Sequence, residues 1–158
     1  IDANPLDTAL AQGSAGRLAA LLALDHAAAR LTLARHLATG DPGWWEFSKP
    51  FGLDKRGSGD SAAGERQKSD ASLARQGARE ALEMLLFWQR SALRLKHGVA
   101  LPAGLAEYRE ALTATAQAPA AQLEERAAAA LAWLRRIDSY ANATATVEAA
   151  LVQCAAGE

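Results

Sequence analysis

The stretch DASLARQGAREALEMLLFWQRSALRLKHG, residues 70–98, decides the fold of this chain. Apolar or small residues recur along it at the spacing of one helix face: Ala74, Ala78, Ala81, Leu82, Leu85, Trp88, Ala92 and Leu95. Ser69 or Asp70 can cap its start, and Gly98 can take the left-handed conformation that closes a helix. The sequence therefore predicts a long helix over 70–98.

The middle of this predicted helix, residues 84–88 (MLLFW), is apolar on every side. A helix without a polar face must be covered by neighbours on more than one side. We therefore expect residues 70–98 to form a central helix. One face packs on its own core, and the other meets either more core or a partner subunit.

The composition favours an all-α fold. Half of the 158 residues are hydrophobic and a quarter are alanine, whereas only three valines and two isoleucines are present. The length suits one domain with a real core, or a small domain and the tail of another. We predict a compact helical bundle of about five to seven helices and no sheet.

Charge and cysteine content restrict the classes of function. The net charge is −1, from 17 basic and 18 acidic side chains, whereas a sequence-independent grip on nucleic acid needs a basic excess. The single cysteine, Cys154, cannot form an internal disulfide, which favours a reducing compartment. We find no signal-peptide pattern and no long apolar run, so we expect a cytoplasmic protein with no membrane partner. Because residue 1 is isoleucine, we also expect the chain to be part of a longer polypeptide.

Caps, prolines and glycines divide the rest of the chain into further helices. They predict helices over 5–12, 15–24, 26–39, 103–117, 119–142 and 143–156. Two of these have predicted inward-facing sets: Leu123, Ala127, Leu131, Leu134 and Ile137 in the fifth, and Val147, Leu151 and Cys154 in the sixth. The Gly-, Ser- and charge-rich residues 52–68 predict a mobile loop or a loosely formed helix start.

Aromatic residues concentrate in one short segment, at Trp44, Trp45, Phe47 and Phe51. One interpretation is that these rings fill one end of the bundle, since aromatic side chains gain much from burial. The other is that they form an exposed anchor for a partner, a role in which tryptophan is enriched. The sequence leaves both interpretations open.

Motifs for catalysis or metal binding are missing from the sequence. The three histidines, His26, His36 and His97, are scattered, with no second ligand at metal-binding spacing. No Gly-x-x-x-x-Gly-Lys-Ser/Thr loop is present to hold a triphosphate. Cys154 lies on an apolar stripe and is better interpreted as a small buried hydrophobe than as a nucleophile. We therefore predict no catalytic residue, no cofactor and no metal, and we rank an all-α enzyme below an interaction module.

Three segments, taken together, carry a family resemblance. Residues 10–19 read LAQGSAGRLA, residues 85–98 read LLFWQRSALRLKHG, and residues 135–151 read RRIDSYANATATVEAAL. In this order and spacing they resemble segments of the delta-prime and tau/gamma subunits of the bacterial DNA polymerase III clamp loader. The second is similar to the long helix of that family's C-terminal collar domain. Two departures are Ala15, where proline is usual, and Thr144, where a second asparagine is usual.

The resemblance implies a clamp-loader subunit, of the delta-prime type rather than tau/gamma. Residues 1–24 would be the end of a preceding lid domain or an N-terminal helical extension, and residues 25–158 the helical collar through which five subunits assemble. Arg17 matches the family's lid arginine, and we give it a structural or interface role because no phosphate loop is present. The implied partners are the delta and tau/gamma subunits, with the sliding clamp and primed DNA met through the complex.

We predict that the subunit interface includes five side chains: Phe87, Arg90, Arg94, Trp44 and Trp45. Phe87 and Arg94 should lie nearer the neighbouring subunit than Leu85 and Trp88. The alternative is a helical adaptor or regulatory domain that binds a peptide or small ligand through the Trp44-Trp45 segment.

Overall fold

Helices make up all the regular structure that is described. The computed structural model describes residues 11, 14–16, 19, 29, 32–34, 36, 44–53, 64–101, 103–139 and 142–155. The elements with defined bounds are α1 (Trp44–Ser48), a first 3-10 helix (Lys49–Phe51), α2 (Gly64–Lys96), a second 3-10 helix (Ala103–Tyr108), α3 (Arg109–Thr115), α4 (Ala120–Ile137) and α5 (Ala143–Ala155). Within these residues no strand occurs, and the prediction of an all-helical bundle without a sheet is confirmed.

The central helix of the bundle is α2, which is 33 residues long. It packs most extensively against α4 and also contacts α3, α5 and the first 3-10 helix. Its buried residues are Ala78, Ala81, Leu82, Met84, Leu85, Trp88, Gln89, Ser91 and Ala92. At about 100° per residue these positions cover roughly half of the helix circumference. The prediction of a central helix is therefore confirmed, and its other half faces outward.

The start of α2 differs from the prediction, and its end agrees with it. The helix begins at Gly64 instead of at a cap on Ser69 or Asp70, because residues 65–68 (ERQK) are good helix formers that carry no apolar period. At the other end Gly98 has a φ of 74°. Its N–H donates to the Leu95 carbonyl at 3.0 Å, and the Val99 N–H donates to the Arg94 carbonyl at 2.9 Å. This is the predicted left-handed closure, in the form of a Schellman motif.

The single helix predicted over 103–117 is wrong, because the chain forms a 3-10 helix and then α3. In a 3-10 helix the side chains three positions apart are eclipsed. Leu105 is buried and Tyr108 is half-buried, and the Tyr108 ring meets the Trp88 ring edge-on with centroids 6.1 Å apart. The tighter turn therefore lets both side chains pack on the same side, towards α2.

The end of α4 also needs a correction, whereas the predicted start of α5 is confirmed. The predicted helix over 119–142 ends at Ile137, where the Ser139 N–H donates to the Arg136 carbonyl at 2.9 Å and Asp138 forms an ion pair with Arg79. Asp and Ser favour such turns because their side chains compete for backbone hydrogen bonds. Asn142 therefore lies outside α4 and caps α5, accepting a hydrogen bond from the Ala145 N–H at 3.0 Å.

The predicted inward-facing residues are mostly in the core. In α4, Leu123, Leu134 and Ile137 are buried and Ala127 is half-buried, but the prediction for Leu131 is wrong, because it is 36% exposed. The helix uses small alanines such as Ala130 on its inner side, so that one leucine is turned outward. In α5 the whole predicted set of Val147, Leu151 and Cys154 is buried.

The segment after α1 packs between α2 and α5. Phe47 and Phe51 are buried, with ring centroids 5.2 Å apart, in agreement with the interpretation that aromatic rings fill this part of the bundle. The Thr144 hydroxyl at the start of α5 donates to the Leu53 carbonyl at 3.4 Å. Gly77 of α2 lies against the Phe51 backbone, so closely that a Cβ at position 77 would overlap the Phe51 carbonyl oxygen. A glycine is therefore required where the two segments meet.

Candidate functional site

The outward half of α2 contains the described part of the predicted interface. We call Phe87, Arg90, Arg94 and His97 the outer stripe, because spacings of three and four residues align them along the helix. Phe87 is half-buried, and the other three are exposed. Leu86 and Leu93 lie two turns apart on the adjoining side of α2, and they are also half-buried. The outer stripe and the two leucines beside it therefore place partly accessible apolar side chains next to basic ones.

The residues predicted to face the chain's own core lie on the opposite side of α2. Leu85 and Trp88 are buried, and the Trp88 indole N–H donates to the Thr115 hydroxyl at 3.3 Å. That hydroxyl in turn donates to the Ala111 carbonyl at 3.0 Å. Trp88 therefore fixes α3 to α2 and has no role on the outside. The predicted order, with Phe87 and Arg94 further out than Leu85 and Trp88, agrees with the burial; that a subunit docks there stays a prediction.

The outer stripe is positively charged. The sequence from Met84 to Gly98 contains no carboxylate and three permanent cations. One of these, Lys96, donates from Nζ to the Ala116 carbonyl at 3.1 Å. Within the part of the chain that the structure describes, the Arg90 and Arg94 guanidinium groups form no hydrogen bond or ion pair. Both side chains are exposed, and no described carboxylate neutralises their charges.

For three other predicted site residues the structure describes no side chain. The backbone of Trp44 and Trp45 begins α1, but their side chains lie outside the described residues, and so does Arg17. The predicted interface role of the two tryptophans, and the alternative adaptor role, therefore stay predictions. The structure describes no contact that favours either role.

A second tryptophan cluster was not found by sequence reasoning. Trp133 of α4 is half-buried, its indole N–H donates to the Gln153 Oε1 at 2.7 Å, and the Arg136 Cζ lies 4.6 Å from the ring centroid. The spacing of an arginine three residues after a tryptophan on a helix is the signal that could have indicated this stacking. The cluster links α4 to α5 on the surface.

A groove with a volume of about 250 Å³ lies next to this cluster, between α4 and α5. It is lined by Gln122, Glu125, Arg126, Ala129 and Gln153. Ligand sites are lined mainly by hydrophobic and aromatic side chains with a few polar groups, whereas this lining is polar. We therefore assign no ligand to the groove.

Cys154 is a buried thiol and not a reactive one. Burial raises its pKa from the ordinary 9.0 to about 12, and the positive charge of Arg126 opposes part of this rise. The thiol donates a weak hydrogen bond to the Arg126 carbonyl, with Sγ and O 3.6 Å apart. Because the thiolate is the nucleophilic form, the interpretation of Cys154 as a small buried hydrophobe is confirmed.

Gln89 is one of several buried polar residues, and its burial has no local sequence signal. It is 0% exposed in the middle of α2, and neither its Oε1 nor its Nε2 has a hydrogen-bond partner among the described residues. A buried amide without partners costs free energy. Gln89 therefore destabilises an otherwise apolar face of the central helix.

Neither a metal-binding cluster nor a membrane-spanning helix occurs among the described residues. Among them, no three His, Cys, Asp or Glu side chains come together as a metal ion would need. None of the described helices is both long and apolar enough to cross a bilayer.

Comparison with known proteins adds no family assignment. No protein-family model, no curated protein and no solved structure matches the chain. The resemblance of the segments at 10–19, 85–98 and 135–151 to clamp-loader subunits therefore stays a prediction.

Proposed function

We propose that this chain is the non-catalytic assembly domain of a bacterial DNA polymerase III clamp-loader subunit of the delta-prime type. It packs against the delta and tau/gamma subunits in the cytoplasm. In doing so it holds together the five-subunit complex that loads the sliding clamp onto primed DNA.

The outer stripe of α2 is the observation that carries this proposal. A helix that holds its own domain together with one half of its surface has the other half available for a neighbour. Here that other half presents the half-buried Phe87 and two exposed arginines whose guanidinium groups have no partner among the described residues, and phenylalanine and arginine are enriched in protein interfaces. The stripe also lies within segment 85–98, one of the three that resemble the family.

Ring assembly makes a further demand on such a domain. In a head-to-tail ring each subunit uses two different patches, one for each neighbour. The outer stripe supplies one patch on α2. The exposed Leu131 and the Trp133–Arg136 pair of α4 are candidates for the second.

Size-exclusion chromatography with light scattering tests the proposal. The chain is mixed with purified delta and tau/gamma subunits from the same source, and the molar mass is measured across the elution profile. We expect co-elution as one species whose mass equals a defined stoichiometry. If the chain elutes at its own mass while the other subunits assemble with one another, the proposal is wrong.

A further inference from the structure

We propose that the outer stripe docks on an acidic helix face of a neighbouring protein subunit. This inference rests on the proposed function, because the neighbour is another clamp-loader subunit. It adds the chemistry of the partner surface, namely carboxylates that pair with Arg90 and Arg94 around a small apolar contact at Phe87.

The charge distribution along α2 is the first argument. The N-terminal half carries both signs, and there Arg79 forms an ion pair with Asp138. In the C-terminal part, from Met84 onward, every charged side chain is basic. Arg90 and Arg94 form no ion pair within the described residues, so their charges are available to a partner.

The helix dipole does not account for this arrangement. Basic residues in the last turn stabilise a helix by interacting with its negative end, but the effect is confined to that turn. Lys96 and Arg94 lie in the last turn, and Lys96 also binds a backbone carbonyl of the segment after α3. Arg90 lies more than one turn before the end, where this explanation does not apply.

The geometry of the stripe points to a helix as the partner. Phe87 and His97 are ten residues apart, which corresponds to about 15 Å along the helix axis. Over that length the two guanidinium groups are one turn apart, and each can bind a carboxylate through two parallel hydrogen bonds. A facing helix with acidic residues one turn apart and an apolar residue beside them matches this pattern.

Nucleic acid is the less suitable partner for the same surface. Phosphate binding needs a basic excess spread over many contacts, whereas this chain has a net charge of −1 and the stripe has only two guanidinium groups. Half-buried Leu86, Phe87 and Leu93 lie among them, and these suit a protein surface.

Charge reversal tests the inference. The affinity of the 158-residue chain for the delta and tau/gamma subunits is measured by isothermal titration calorimetry at low and at high salt, for wild type, the double variant Arg90→Glu/Arg94→Glu, and Arg109→Glu. Arg109 is the control, because it is exposed and its side chain has no described partner at the start of α3. We expect the double variant to bind at least about tenfold more weakly, the control to bind within about twofold of wild type, and high salt to weaken only the wild type and the control.

The outcomes separate this inference from the proposed function. If wild type binds no subunit, the proposed function is wrong, and the inference that rests on it is wrong as well. If wild type binds, but neither salt nor the double variant changes the affinity, the acidic partner is refuted while the assembly role stands. If a primed DNA duplex alone binds wild type and not the double variant, the stripe is a phosphate-binding surface and the inference is overturned. Thermal melting checks the fold, and we expect only a small decrease in melting temperature, because both arginines are exposed and Arg94→Glu replaces a favourable charge in the last turn of α2.

Discussion

Replacing Gly77 by alanine tests whether α2 and the first 3-10 helix are in direct backbone contact. A Cβ at position 77 would overlap the Phe51 carbonyl oxygen and lie 3.1 Å from the Phe51 carbonyl carbon and 3.5 Å from its Cβ. All three neighbours belong to one residue, and the closest is backbone. The strain therefore cannot be relieved by a simple rotation of a side chain.

The segment that contains Phe51 is held in place on both sides. The Phe51 ring is buried against Phe47, and the turn closes through Gly52, which has a φ of 69° and donates to the Lys49 carbonyl at 3.0 Å. Overpacking of this kind costs about 3 kcal/mol, at the upper end of the usual range, because a fixed backbone group must move. Alanine recovers about 1 kcal/mol of helix propensity. We therefore expect Gly77→Ala to lower the free energy of unfolding by about 2 kcal/mol and the melting temperature by about 4–8 °C.

Urea denaturation followed by far-ultraviolet circular dichroism measures this change. Gly16→Ala is the matched control, because Gly16 is helical and exposed and a Cβ there would meet nothing within 4 Å. The control should be as stable as wild type or slightly more stable. If Gly77→Ala is also at least as stable as wild type, the close approach of Gly77 to Phe51 is refuted.

Three further changes test the core, each by its effect on the free energy of unfolding. Gln89→Met should raise the free energy of unfolding by about 1 kcal/mol or more, because it removes a buried amide that has no partner among the described residues. Gln76→Met, on the exposed side of α2, should leave the free energy of unfolding unchanged. A loss of stability in Gln89→Met would contradict this reasoning. Thr115→Val should lower the free energy of unfolding by about 1–3 kcal/mol, because it leaves the buried indole N–H of Trp88 without its acceptor. Thr113→Val, at an exposed position, should have little effect. Equal effects of the two variants would refute the role of the Trp88–Thr115 hydrogen bond. The pKa of Cys154 is higher in the folded than in the unfolded chain. The protonated thiol therefore makes its full contribution to the free energy of unfolding below pH 9, and this contribution is lost as the pH rises toward 12. Above pH 9 the wild type should therefore lose stability more steeply than Cys154→Ala, by up to about 1.4 kcal/mol per pH unit, and parallel pH profiles would argue against a raised thiol pKa.

The sequence predicts those features of the fold that depend on apolar spacing and on caps. The central helix, its closure at Gly98 and the inward face of α5 follow from local patterns, and all three are present. Periodicity does not report where a helix of charged residues begins, so the start of α2 at Gly64 was missed. It also does not separate a 3-10 turn from an α-helix over a few residues, as in Ala103–Tyr108.

The candidate site was predictable only to the level of a helix face. Spacing along the helix places Phe87, Arg90 and Arg94 on one side of α2, and the structure has them there, half-buried or exposed. The partners of other charged residues depend on tertiary packing and could not be read from spacing, as with Arg79 and Asp138, which are 59 residues apart in sequence. The same holds for the burial of Gln89, which has no local sequence signal.

The most direct test of the assembly role is the mass of the reconstituted complex when Phe87 is replaced by aspartate. Sedimentation velocity compares wild type, Phe87→Asp, the milder Phe87→Ala, and the control Leu73→Asp, which places the same charge at an exposed leucine of α2 outside the outer stripe, when each is mixed with delta and tau/gamma subunits. Circular dichroism confirms that every variant is folded. We predict a full complex with wild type, a weakened complex with Phe87→Ala, and no incorporation of folded Phe87→Asp. Full incorporation of Phe87→Asp would contradict the assignment of the outer stripe as the assembly surface.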